Sequence, residues 1–74
     1  MDNQFGARLR RVREEKKLSQ NDLAVKIGAS QVAVAMWESG ARQPRYSLLG
    51  KLFTALSVKD DERPDWIADL TGTH

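Results

Sequence analysis

Between Ile27 and Gln31 the chain reads Gly28, Ala29, Ser30, and this short punctuation constrains the fold more than any other feature. Glycine without a side chain takes the left-handed conformation that ends a helix at low steric cost, so a helix is predicted to stop at Gly28. Ser30 carries a short hydroxyl suited to accept from the first free amides of a following helix, predicted over about Gln31 to Ser39 and stopped by Gly40. Two residues then separate one helix from the cap of the next, and helices joined so tightly must cross steeply.

The start of the earlier helix is equally local. Ser19 can accept from the amide of Asp22, the Asp22 carboxylate can reach back, and Leu18 can pack on Leu23 as a hydrophobic staple, so this helix begins near Gln20. Upstream, Phe5, Leu9 and Val12 recur at helical spacing between basic residues and predict an amphipathic first helix from about Asn3 to Lys17. Downstream, Ala41 to Arg45 holds a proline and two arginines and reads as a loop. A fourth helix is predicted from Tyr46, with the stripe Leu48, Leu49, Leu52, Phe53 and Leu56 as core or dimer surface. Pro64 suits the first turn of a short fifth helix carrying Trp66, Ile67 and Leu70. No run alternates with period two, so no strand is expected.

Composition bounds the partners. The 74 residues are expected to form one domain, 1–74, with a core over about 4–58 and an acidic C-terminal segment, 59–74. Cysteine is absent, which removes disulfides and thiolate metal sites from consideration and leaves helix packing to hold the fold. The longest apolar run, Val32 to Trp37, is far too short to span a membrane, and no signal-peptide pattern opens the chain, so a cytoplasmic protein without membrane contact is expected. The net charge is +2, yet residues 1–57 carry +5 and residues 58–74 carry −3. A basic body with an acidic end suits a polyanion met on one face.

The stretch Gln20 to Ser39, QNDLAVKIGASQVAVAMWES, places Ala24 where two helices approach and Leu23, Ile27, Val34 and Trp37 on the inner faces. It resembles the helix-turn-helix of the phage repressor and Cro family, which also occurs in bacterial regulators and antitoxins. The likeness runs from about Phe5 to Val58 and includes the arginine-rich first helix, the LSQ start, the WESG exit and the loop arginines around Pro44. It implies an all-α fold, a compact five-helix lambda-repressor-like DNA-binding domain in which the second and third helices form the helix-turn-helix.

The resemblance further implies that the third helix lies in a DNA major groove, with Gln31, Val32, Ala35 and Met36 facing base edges. Helical spacing agrees in part, because Val34 and Trp37 share the inward face and the other three cannot all share it. Gln31 has directional chemistry: its amide can give and take a hydrogen bond on adenine, although guanine is also open to it. Val32 and Met36 suit thymine methyl groups. Gln20, Asn21, Ser30, Arg42, Gln43 and Arg45 match residues that grip the sugar-phosphate backbone, with Gln20 also bracing Gln31 and Arg45 able to enter a narrow minor groove. Arg13 and Glu38 match a structural salt bridge, while Arg8, Arg10, Arg11, Lys16 and Lys17 read as a solvated face, Arg10 alone being a candidate contact.

The function expected is a sequence-specific transcriptional regulator, a Cro-like or compact repressor that occludes a promoter as a homodimer on a near-palindromic double-stranded DNA operator. The dimer surface is expected at Tyr46, Leu49 and Trp66, and 74 residues, if taken as the whole protein, favour Cro or a compact regulator over a long phage repressor with a separate oligomerisation domain. The alternative is an antitoxin or other interaction module that binds a protein through the same fold. Catalysis is not expected: the one histidine, His74, is the last residue, and no glycine-rich phosphate loop is present. No cofactor or metal is called for.

Overall fold

A computed structural model describes residues 4–72; Asn3, where the first helix was expected to begin, and His74 lie outside them. The element order is α1 (Gln4–Glu15), α2 (Gln20–Ile27), α3 (Gln31–Ser39), α4 (Tyr46–Ala55), a single 3₁₀ turn (Asp60–Glu62) and α5 (Arg63–Thr71). The fold is all-α, as the capping signals predict. No helix among the described residues is long and apolar enough to cross a membrane.

The local signals act as read. Ser19 Oγ accepts from the Asp22 amide and an Asp22 carboxylate oxygen accepts from the Ser19 amide, each at 2.9 Å. Hydrogen bonding to the Ser19 backbone and hydroxyl holds the Asp22 carboxyl below the usual aspartate range. Gly28 (φ 71°) terminates α2, and the next amide, Ala29, returns to the Ala24 carbonyl at 2.9 Å. Ser30 Oγ accepts from Ala33 at 3.1 Å, opening α3, which Gly40 (φ 85°) closes.

The first helix ends at Glu15, two residues before the expected Lys17, and the reason is Leu18. Lys17 takes φ 62°, the Leu18 amide donates back to the Arg13 carbonyl at 3.2 Å, and the chain turns so that Leu18 packs against the core. A lysine thus occupies the left-handed position that glycine usually fills. Ser57 (φ 56°) does the same after α4, with the Val58 amide on the Phe53 carbonyl at 2.8 Å.

One core joins all five helices: α1 packs on α3 and α5, and α2 packs on α3 and α4. The largest fully buried side chains are Leu9, Leu23, Ile27, Val34, Leu52 and Leu56. Core packing does not stop at residue 58 as expected, because Trp66 and Leu70 belong to the same cluster. Trp66 sets its ring edge-to-face between Phe5 and Phe53, both at 5.9 Å between centroids. The Arg8 guanidinium lies 5.8 Å from that ring and pairs with the buried carboxylate of Asp69. Arg8 is therefore a strut between α1 and α5, not the solvated charge expected.

Candidate nucleic-acid interface

The hydrophobic effect sorts the faces of α3. Val34 and Trp37 turn into the core, which leaves Gln31 exposed, Val32 60% exposed, Met36 36% exposed and Ala35 half-buried at the margin. Among the described residues the other large exposed apolar side chains, Val25, Tyr46 and Ile67, sit one each on α2, α4 and α5.

The tip of α3 is held by a hydrogen-bonded chain. Gln31 Nε2 donates to Gln20 Oε1 at 3.1 Å, and Gln20 Nε2 donates to Glu38 Oε1 at 3.1 Å. Glu38 in turn accepts from Arg13 Nε at 2.6 Å and Nη2 at 3.1 Å, while Arg13 Nη1 donates to the Leu18 carbonyl at 2.7 Å. The Arg13 and Glu38 side chains are 9% and 5% exposed, so the expected structural bridge is buried. Hydrogen bonding to Glu38 outweighs desolvation and raises the Arg13 pKa further.

The remaining expected contacts divide. Asn21 is exposed in the first turn of α2, where the leading amides have no intrahelical acceptor. Ser30 is exposed too; its oxygen caps α3 and its hydroxyl proton is left to donate outward. Arg42 and Arg45 are exposed in the loop after α3, whose start is pinned by the Arg42 amide on the Met36 carbonyl at 3.3 Å. Arg10 is exposed and pairs with Glu14 one turn on, at 3.3 Å.

Gln43 also serves the fold, and two of the dimer candidates need correction. Gln43 is exposed in that loop, and its Nε2 donates to the Leu70 carbonyl at 2.7 Å, which fastens the loop to α5. Buried Pro44 anchors the same loop. Leu49 and Trp66, 4% and 3% exposed, lie inside the monomer and offer nothing to a second copy; of the three dimer candidates only Tyr46, 68% exposed, is on the surface. Helical spacing marks a residue as apolar-facing but does not say whether its own core or a partner covers it.

Two links were not anticipated from the residue pattern, the bond from Gln20 to Glu38 and the pair from Arg8 to Asp69. The second had a signal, since Trp66, Asp69 and Leu70 share one face of α5 and place a carboxylate among core residues.

A family model described as a helix-turn-helix domain matches residues 4–66. The chain belongs to the helix-turn-helix domain family. Within that domain α2 and α3 are the helix pair, and the hydrogen-bonded chain from Arg13 to Gln31 ties the pair to α1. The relatives found include multiprotein-bridging factor 1 of Candida glabrata, 42% identical over 59 residues, which are 80% of this chain and 39% of that protein. Among them also are the HTH-type transcriptional regulator YqaE of Bacillus subtilis, 35% identical over 57 residues (77% of this chain, 49% of that one), and an HTH-type transcriptional regulator of Archaeoglobus fulgidus, 41% identical over 58 residues (78% and 25%). The chain thus spans less than half of each relative. No solved structure matches it significantly.

Proposed function

We propose that this helix-turn-helix domain is the DNA-reading part of a transcriptional regulator, laying α3 in the major groove of a near-palindromic operator as a Cro-like or compact repressor that occludes a promoter. The observation that carries the reading is the tip of α3, where Gln31 stands exposed beside Val32 and Met36 and is braced from below by Gln20. A braced amide beside apolar contacts is suited to read base edges, and a braced side chain loses less freedom on binding. Arg42, Arg45 and the N-terminus of α2 supply positive potential for the flanking phosphates. The relatives named transcriptional regulators support the same reading.

Selection from a random pool of duplex DNA tests it. A motif with two half-sites about one helical turn, ~34 Å, apart is expected. Failure to enrich any motif at low ionic strength overturns the reading. A second reading, a module that bridges proteins, is supported by the relatives named multiprotein-bridging factor 1. Cosedimentation with a protein at equal stoichiometry without DNA is the result that favours it.

A further inference from the structure

We infer that Glu38, whose side chain is buried behind Gln20, determines which purine Gln31 reads; this rests on the DNA-binding role proposed above. Hydrogen-bond polarity carries the effect from Glu38 to Gln31. An ionised carboxylate only accepts, and Glu38 accepts from Arg13 Nε and Nη2 and from Gln20 Nε2. The Gln20 amide must therefore turn its nitrogen toward Glu38 and its oxygen toward Gln31. That oxygen cannot donate, so Gln31 must turn its own nitrogen to it, at 3.1 Å.

One N–H of Gln31 is now committed inward. Its carbonyl oxygen and the other N–H remain for the groove, a single acceptor beside a single donor. Adenine offers the complement, with N6–H donating and N7 accepting. Guanine offers acceptors at both O6 and N7, so the Gln31 oxygen would face a lone pair. The choice between adenine and guanine that the amide alone leaves open is thus closed by a carboxylate two side chains away.

Reversing the chain should reverse the choice. In Glu38→Gln the introduced amide keeps its oxygen on Arg13 Nε, the shorter contact at 2.6 Å, and sets its nitrogen at the Oε1 position that Arg13 Nη2 and Gln20 share, so Arg13 Nη2 gives up its 3.1 Å contact and Gln20 meets a donor. Gln20 then flips, Gln31 follows, and both N–H groups of Gln31 point outward, the pattern that fits guanine. Exchanging the buried pair for apolar side chains, Arg13→Leu/Glu38→Leu, instead leaves the Gln20 amide with no preferred polarity and strands no charge.

The base pair concerned is the one whose preference disappears in Gln31→Ala. Binding of the selected duplex and of its adenine-to-guanine substitute at that pair is measured for each protein, with circular dichroism confirming helicity. The unaltered protein is expected to favour adenine about tenfold, Glu38→Gln to favour guanine, and the double variant to separate the two by less than about threefold. Should Glu38→Gln fail to fold, the double variant decides. A purely structural role weakens both duplexes alike. An unchanged adenine preference in the folded variants, or a guanine preference in the unaltered protein, overturns the inference while the DNA-binding role stands; absence of any selected motif removes both.

Discussion

At the scale of single residues, the same bonds serve stability and recognition. Arg13 and Glu38 are both nearly out of solvent, so removing one leaves the other's buried charge without its counter-ion. Arg13→Ala is expected to cost about 3–5 kcal/mol, a large share of the stability of a domain this small, and urea unfolding measures it. A cost under about 1 kcal/mol would mean that water reaches Glu38. Gln31→Ala touches only the exposed end of the chain and should leave unfolding unchanged. Its expected effect is a loss of about 1–3 kcal/mol on the selected duplex with relaxed preference at one base pair, read by titration against random DNA. Equal losses on both DNAs would show that Gln31 does not read bases.

The elements were largely legible because their ends are written within three or four residues: Ser19 with Asp22, Gly28, Ser30 with Ala33, Gly40. What was not legible depends on the chain returning to itself. Gln43 reaches Leu70 and Arg8 reaches Asp69 across separations of 27 and 61 residues, which no local pattern encodes. The left-handed turns at Lys17 and Ser57, after α1 and α4, were not legible for another reason, that tertiary demand placed ordinary residues where glycine is favoured. Ser57→Gly should therefore stabilise by about 0.5–1 kcal/mol, relief of left-handed strain exceeding the added freedom of the unfolded chain. Thermal unfolding checks it, and a lower midpoint would mean the serine side chain supports the turn. The α2 cap has a pH signature as well. Because folding lowers the Asp22 pKa, its contribution is present above the usual carboxylate range and is lost as pH falls through the folded value. Asp22→Asn should flatten the loss of stability below about pH 4, measured as urea midpoint against pH. An unaltered profile would assign the acid loss to other carboxylates.

For the molecule as a whole, dimension limits how two copies can meet. The extents are 30 × 26 × 23 Å, so two copies centred on half-sites ~34 Å apart meet only at their edges. Burial of Leu49 and Trp66 inside each monomer takes two of the three expected interface residues out of reach, leaving Tyr46 as the exposed candidate. An edge contact falls short of the roughly 800 Å² per partner that stable interfaces bury. The protein is therefore expected to sediment as a monomer at micromolar concentration and to bind a two-half-site duplex cooperatively, because the DNA supplies the high local concentration a weak contact needs. Inserting about five base pairs between the half-sites turns the second copy to the opposite face of the duplex and should abolish the cooperativity while preserving affinity for each half-site. Tyr46→Ser should weaken cooperativity in the original spacing and leave half-site affinity intact. A dimer that persists in sedimentation without DNA would place the interface elsewhere, on a surface larger than this edge.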